Sequence, residues 1–270
     1  MFLAHSKSIK PGEFIPLEQF NKERVLTKGA EPYMLSNICL HQNSLMASEP
    51  CSKILACPYH NWQYDSKGMP VSSGETEYYC KNSKKLKTFP VYEWSNLLFS
   101  CPVPFAEKID LSNIVLVEHR IDQVKSDPEH IMSVFLDVDH IPVLHEGVYE
   151  SVGFDTVTVQ NVDWSFYNNG SVQTVKDNAM WAAVYPNTMV EWQGGAVFIT
   201  VAMQAGDRLS NVIVYKYRHK DMSDYEWMMN ERAWETAWLQ DRSQAERILG
   251  RAKPTNLEPA KKHYIEWLKK

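Results

Sequence analysis

The sequence predicts an α+β protein in two parts, an all-β domain followed by a domain with an antiparallel sheet and covering helices. Residues 13–105 contain short apolar runs separated by glycine and proline, which is typical of short strands. Residues 154–219 hold longer segments in which polar and apolar side chains alternate, as in antiparallel strands. Helical patterns over 127–141 and 223–250 flank these segments on either side.

Length and charge set broad limits on what the chain does. The 270 residues suffice for one large or two ordinary domains, and 28 basic against 33 acidic residues give a net charge of −5. An acidic balance gives no reason to expect a nucleic-acid partner. The N-terminus is too short and polar for a signal peptide, and no apolar run could span a bilayer. We therefore expect no membrane association and a cytoplasmic location, which also fits five cysteines without disulfide spacing.

The first domain is predicted to be a stiff sheet that carries loops. Its strand candidates are bounded by glycine and proline, and the character of the sequence changes near Pro104–Asp110. We place the domain boundary there, so that residues 1–105 form the first domain and 106–270 the second. The strand candidates are Arg24–Thr27, Tyr33–Ser36 and Leu97–Cys101.

The second domain shows start and stop signals for each helix. Asp127 and Pro128 are good residues for the start of a helix, and Pro142 ends or kinks it. The long helix begins at Ser223 and ends at Gly250, and a short helix follows over 259–268. The strand candidates between them include Asp155–Gln160 and Asn211–Tyr217.

Two closely spaced Cys/His pairs in the first domain form a potential metal clamp. Cys39 and His41 are separated by one residue, and Cys57 and His60 by two. Two thiolates and two imidazoles suit either zinc or a [2Fe–2S] cluster in which two His replace two Cys on one iron. Zinc ribbons favour two Cys at C-x2-C spacing in each half, and this asymmetric arrangement differs from them.

The asymmetric pairs and the residues around them resemble the Rieske iron–sulfur family. The segment Cys57–Asp65 is similar to the second Rieske loop, with Gly68 at the following turn. The resemblance implies that Cys39, His41, Cys57 and His60 bind a [2Fe-2S] cluster. The chain departs from the family at Leu40, Gln42, Asn43 and Asn61, where Pro, Arg, Gly and Gly are frequent.

A second metal site is suggested by the segment from Asp137 to His145. Two His and a carboxylate can form an iron site with open positions. On an ideal helix His140 and His145 would point about 140° apart, but Pro142 between them permits a distortion that could bring them together.

The spacing D-x2-H-x4-H resembles the iron motif of Rieske-type ring-hydroxylating oxygenases, although Met132-Ser133 replaces the Glu-Asn pair frequent in that family. The resemblance implies that His140 and His145 bind a mononuclear Fe(II). It also implies that Asp137 bridges to His41 or His60 of a neighbouring chain in a cyclic homotrimer.

The third iron ligand must be a carboxylate from elsewhere in the chain. Asp241 is the one charged residue on an apolar helical stripe that includes Trp234, Trp238 and Ala245, and a buried carboxylate needs a partner. By the family's x-D-x4-E pattern Asp241 is the ligand and Glu246 the alternative. A competing interpretation is that Asp241 opens a new helix as part of a capping box.

The resemblance identifies the chain as similar to the alpha subunit of a Rieske-type non-haem iron oxygenase. The implied activity is hydroxylation or oxidative demethylation of a small substrate with dioxygen, using electrons from a ferredoxin or flavin reductase. Three tryptophans could line the pocket, and aromatic walls also suit methylated amines. Two alternatives stay open, an electron-transfer protein without a functional mononuclear iron and a zinc-binding structural protein. The three tryptophans are Trp164, Trp181 and Trp192.

Overall fold

The chain divides into two compact units, Phe2–Pro102 and Val103–Lys270, with Met1 grouped with the second. The computed structural model describes residues 1–71, 84–103, 105–152, 162–175, 179–248 and 258–270. The predicted strand at 155–160, Cys80, Pro104 and Gly250 lie outside these ranges. The predicted boundary between residues 105 and 106 stays a prediction.

The first unit consists of short strands, as the sequence predicts. Two single-turn 3-10 helices, Ser6–Ser8 and Glu18–Phe20, lie among them. The strands are β1 (Phe2–His5), β2 (Glu13–Pro16), β3 (Arg24–Lys28), β4 (Pro32–Ser36), β5 (Cys51–Ser52), β6 (Leu55–Ala56), β7 (Gln63–Tyr64), β8 (Pro70–Val71), β9 (Thr88–Phe89), β10 (Tyr92–Trp94) and β11 (Leu97–Phe99).

Three small antiparallel sheets hold the loops of this unit. The strand orders are β5-β2-β3-β4-β9, β6-β7-β8 and β1-β11-β10. The buried core between them includes Leu35, Leu55 and Tyr64, and the side chains of Cys39 and Cys57 belong to the same cluster. The sheets therefore anchor the first residue of each predicted metal-binding loop in a rigid core.

The second unit is built on a large antiparallel sheet. Its strand order is β12-β18-β17-β16-β15-β14-β13, so that every strand except the outer two is hydrogen-bonded on both sides. The strands are β12 (Ile114–Val124), β13 (Val162–Tyr167), β14 (Gly170–Val175), β15 (Ala179–Val184), β16 (Thr188–Gln193), β17 (Ala196–Gly206) and β18 (Leu209–His219). The helices are α1 (Pro128–Phe135), α2 (Ile141–Leu144), α3 (Asp224–Ile248) and α4 (Pro259–Leu268), with a 3-10 turn at Glu150–Val152.

The predicted helix over 127–141 is broken in two. Helix α1 starts at Pro128 as predicted and ends at Phe135, and α2 begins only at Ile141. Pro142 cannot donate the backbone hydrogen bond that a continuous helix would need. The free N–H groups of Val138 and Asp139 instead donate to the carboxylate of Glu258, at 2.5 Å for Val138. A residue far along the chain thus stabilises the interruption.

Helix α3 is a continuous 25-residue helix that covers one face of the sheet. Ser223 opens it as predicted, since the Glu226 N–H donates to Ser223 Oγ and the Ser223 N–H donates to Glu226. Trp234 and Trp238 pack against Phe198 of β17. Asp241 lies inside this helix, so the interpretation of Asp241 as the start of a new helix is wrong. No helix in the described part of the chain is both long and apolar enough to cross a membrane.

A buried lysine fixes α3 to the sheet. The Lys216 side chain on β18 is 1% exposed, and its Nζ lies 2.6 Å from Glu118, 2.9 Å from Glu231 and 2.5 Å from Glu235. Arg120 on β12 joins the same group of carboxylates. Because Glu231 and Glu235 belong to α3, these ion pairs set the position of the helix that carries Asp241.

We expect Lys216→Met to lower the free energy of unfolding by about 3 kcal/mol, because it leaves partly buried carboxylates without their cation. Urea unfolding measures this loss. Arg218→Met is the matched control, since Arg218 on the same strand pairs with Asp224, whose side chain is 93% exposed. The control should cost less than about 1 kcal/mol. Equal losses in the two variants would show that the buried network does not hold the helix.

Candidate metal centres

The two Cys/His loops of the first unit have the same backbone geometry. In the loop Cys39–Ser44 the cysteine carbonyl accepts from the N–H four residues later at 3.0 Å, and in Cys57–Trp62 at 2.9 Å. In each loop the cysteine N–H donates to the carbonyl five residues later, at 2.9 and 2.8 Å. The two loops therefore have turns with the same backbone hydrogen bonds, although their Cys-to-His spacings differ.

Both loops need a residue in the left-handed backbone region. Asn43 and Asn61 each have φ of 54°. Glycine adopts this region without strain, and asparagine is among the few other residues that do so readily. The two positions where the chain departs from a frequent family glycine thus keep the turn that glycine would provide.

The four side chains form two pairs. Cys39 and Cys57 are buried, and burial raises the pKa of Cys39. His41 and His60 are exposed, with their Nδ1 atoms 3.1 Å apart, and His41 stacks on Trp62 at a ring distance of 5.0 Å. The four do not form one convergent group, as a single tetrahedral zinc would require. Two thiols on one side and two imidazoles on the other fit a cluster with two Cys on one iron and two His on the other.

We expect His60→Ala to abolish the visible absorption and the reduced EPR signal of the cluster, because three ligands do not hold it at full strength. Far-ultraviolet circular dichroism should show that the rest of the chain stays folded. A variant with the wild-type spectrum would refute the ligand assignment.

The second centre lies where the four-residue helix α2 brings His140 and His145 together. His140 precedes this helix and His145 follows it, and their Nε2 atoms lie 3.0 Å apart. Asp241 Oδ1 of α3 lies 3.2 Å from His140 Nε2 and 3.0 Å from His145 Nε2. The structure thus brings together the three residues that the sequence proposes as ligands.

These three atoms have the spacing of metal ligands. Two atoms bound to a metal at about 2.1 Å and 90° apart are separated by about 3.0 Å. Asp241 is 8% exposed, and its Oδ1 accepts no well-directed hydrogen bond within the described part of the chain, although both imidazoles are close. Burial opposes its ionisation, but the two His lower its pKa overall. An uncompensated buried oxygen beside two imidazole nitrogens fits a bound cation.

Each imidazole is oriented by a further contact. His145 Nδ1 lies 2.7 Å from Gln240 Oε1, so that it donates to the amide oxygen and leaves Nε2 free to bind a metal. His140 Nδ1 lies 3.8 Å from Asp137. Asp137 has a further partner, because Lys261 Nζ donates to it at 2.9 Å. Despite burial, His140 and Lys261 lower the pKa of Asp137 to about 2. Sequence analysis did not identify Gln240 or Lys261.

A narrow pocket adjoins the three ligands. Its free interior is about 20 Å³, enough for one water-sized molecule. Of the three tryptophans considered, Trp181 lines it, together with Phe135 and Tyr149. Two polar side chains also line it: Glu191, which the family resemblance places near the iron pocket, and Gln173, which sequence analysis did not identify. The site thus combines open space beside the ligands with a wall of aromatic, aliphatic and polar side chains.

Residues 1–90 match the model of the Rieske [2Fe-2S] domain. This region contains both Cys/His loops. The chain therefore contains a Rieske domain, and the zinc-binding structural protein is not supported.

Curated relatives extend the similarity into the second unit. Putrescine 2-hydroxylase of Ralstonia nicotianae is 23% identical in a match that covers 76% of this chain and 66% of that protein. The carnitine monooxygenase oxygenase subunit of Acinetobacter baumannii is 22% identical over 74% of this chain and 63% of its own length. Choline monooxygenase of Beta vulgaris is 26% identical over 72% of this chain and 51% of its own. The chain thus spans about half to two thirds of the length of these relatives.

Solved structures show the same fold. The quaternary ammonium Rieske monooxygenase CntA superposes with a TM-score of 0.78 at 14% identity, over 99% of this chain and 87% of CntA. Naphthalene 1,2-dioxygenase from Rhodococcus sp. gives 0.72 at 13% identity, over 99% and 88%. The resemblance to alpha subunits of Rieske-type non-haem iron oxygenases is thereby confirmed, and so is the α+β fold class. The cofactors of this class are a [2Fe-2S] cluster and a mononuclear iron, and the chain has a candidate site for each.

We expect Asp241→Ala to lower the iron content by about one from a total of about three per chain, and to leave the cluster spectrum intact. His140→Ala and His145→Ala should behave alike. Elemental analysis measures the loss.

Glu246→Gln is the matched control for the iron measurement. Glu246 accepts from the N–H of Lys125 at 3.2 Å and lies 3.5 Å from Arg242, outside the convergent group. It should keep all its iron. The reverse result, with iron lost only in the Glu246 variant, would make Glu246 the ligand.

Proposed function

We propose that the protein is a Rieske non-haem iron oxygenase that uses dioxygen and supplied electrons to hydroxylate or oxidatively demethylate a small organic substrate. The observation that carries this proposal is the convergence of His140, His145 and Asp241 on one point beside a pocket. An electron-transfer protein would have no need of a second buried ligand set, and this alternative is therefore disfavoured.

The proposed site residues have distinct roles. Cys39, His41, Cys57 and His60 would hold the cluster, and His140, His145 and Asp241 the mononuclear iron. When bound, these groups supply single electrons and the reductive activation of dioxygen. Gln240 fixes the proton of His145 on Nδ1, and Phe135, Tyr149 and Trp181 provide an apolar surface beside the ligands.

The metal-bound protein tests this proposal. EPR of the reduced protein should show the cluster, and about three iron atoms per chain should be present. Dioxygen consumption that depends on both an electron donor and an organic substrate should follow. Iron confined to the cluster, about two per chain, would instead establish the electron carrier.

The electron donor, the assembly and the location are also part of the proposal. We propose a ferredoxin or flavin reductase as donor, a homotrimer as the assembly and the cytoplasm as the location. The structure of a quaternary ammonium Rieske monooxygenase gives insight into inter-subunit electron transfer in that protein. The exposed imidazoles of His41 and His60 are available for such a contact, since hydrogen bonding to a neighbouring chain needs accessible atoms.

Asp137 is the proposed crossing point between subunits. Its side chain is 28% exposed, and Oδ2 contacts Lys261 while Oδ1 faces His140. It would accept a hydrogen bond from His41 or His60 of the next subunit. Its proximity to His140 and its lowered pKa support this role.

We expect Asp137→Asn to keep both metals while oxidation of the reduced cluster in a single turnover slows at least about tenfold, because the charged acceptor is lost. Rapid mixing with substrate and dioxygen measures this rate. Lys261→Met is the control, since it removes the ion pair and keeps the carboxylate, and it should transfer electrons at nearly the normal rate. A normal rate in Asp137→Asn, or a monomer in sedimentation, would contradict the bridge.

A further inference from the structure

The pocket wall contains a row of side chains that the strand register places side by side. Gln173 on β14 is paired with Trp181 on β15, and Trp181 is paired with Glu191 on β16. Directly paired residues point to the same face of a sheet. The two polar side chains therefore flank an indole ring, and their backbones are about 10 Å apart across two strand spacings.

Glu191 is a buried carboxyl group that the proposed iron chemistry does not use. It is 5% exposed, and its Oε1 accepts from Trp234 Nε1 at 3.0 Å. Burial raises the pKa of Glu191 to about 7, and the charge of Asp241 acts in the same direction. The hydrogen bonds that Trp234 and Trp181 donate to the carboxylate act in the opposite direction. Among the described residues, no lysine or arginine is among the groups that act on it. A carboxylate in this setting is stabilised by a cation that enters the pocket.

Gln173 provides a second unused group at the other side of Trp181. It is 2% exposed, and within the described residues its Nε2 has no hydrogen-bond partner. A buried N–H donor without a partner is costly, and an acceptor atom on a ligand would satisfy it.

The aromatic side chains between these groups favour the same kind of ligand. Trp181 and Tyr149 meet edge to face at a ring distance of 6.2 Å, and Phe135 lines the pocket with them. The faces of such rings attract cations. Anionic ligands are disfavoured by the nearby carboxyl groups of Asp241 and Glu191.

We propose that Glu191 determines substrate class, by pairing with the ammonium group of a small amine whose oxygen atom accepts a hydrogen bond from Gln173. The inference rests on the proposed oxygenase function and names the substrate of the same pocket. Because the free interior is small, the amine is slender or widens the pocket as it enters. An amine that carries an N–H donates directly to the carboxylate, whereas a quaternary group interacts through charge and the aromatic faces alone.

The test measures binding and turnover separately with the metal-bound protein. The probes are 4-aminobutan-1-ol, choline and carnitine, with 3,3-dimethylbutan-1-ol as the neutral isostere of choline and butane-1,4-diol as the neutral analogue of 4-aminobutan-1-ol. Calorimetry gives each Kd. Wild-type protein should bind at least one amine at least about tenfold more tightly than its neutral analogue, and Glu191→Gln should abolish this preference.

Control variants separate recognition from a structural role. Glu191→Gln keeps an oxygen that can accept from Trp234, and its iron content and reduced EPR signal should match the wild type. Glu191→Asp should restore part of the preference. Asp163→Asn changes an exposed carboxylate of the same sheet and should bind like the wild type.

Several results would overturn the inference. The first is wild-type protein that binds no amine more tightly than its neutral analogue, and the second is a Glu191→Gln variant that retains the preference. Equal loss of turnover with all substrates at unchanged Kd would assign Glu191 to proton delivery, and loss of iron would assign it to charge balance at the metal. Turnover of the neutral compounds without amine preference would uphold the oxygenase and refute this inference, whereas Glu191-dependent amine binding without dioxygen consumption would do the opposite.

Discussion

The buried carboxylate of Asp241 is the constraint on which the second unit depends. It lies on the apolar face of α3, in the same helix as Trp234 and Trp238, where a charge is costly unless a cation compensates it. The compensation requires that α3 be continuous and that it approach His140 and His145 to about 3 Å. The ion pairs of Lys216 hold the helix at the sheet, and the broken segment between α1 and α2 delivers the two imidazoles. The buried ion pairs and the helix interruption each have a local energetic cost, and both position residues of the same candidate metal site.

The sequence predicts those parts of the site that depend on local spacing. The pairs Cys39–His41 and Cys57–His60 each lie within one turn, and helical periodicity alone places Asp241 on the apolar face of α3. Local spacing does not place Glu191 and Gln173 beside the ligands, because their proximity depends on the register of three strands; resemblance alone points to Glu191, and nothing in the sequence points to Gln173. The same limit explains the predicted helix over 127–141, since its interruption is stabilised by Glu258, about 120 residues away in sequence.

The departures from the family pattern show which properties of a metal-binding loop are essential. Asn43 and Asn61 differ from glycine in chemistry, yet both occupy the left-handed region that the turn requires. The turns keep their hydrogen bonds, and the Nδ1 atoms of the two His stay 3.1 Å apart. Asparagine at these two positions thus keeps the backbone conformation that the turn requires, and its side chain can change the hydrogen bonding near the cluster.

The two candidate metal centres differ most in their access to solvent, and this difference suits different tasks. The imidazoles of His41 and His60 are exposed, so that a group bound to them can exchange electrons with another molecule through short contacts. His145 and Asp241 are buried beside a narrow pocket, where electrostatic interactions are stronger than in bulk water. A reaction that needs both electrons and a protected site therefore needs a link between them. We propose Asp137 as this link, because its carboxylate faces His140 and remains partly exposed.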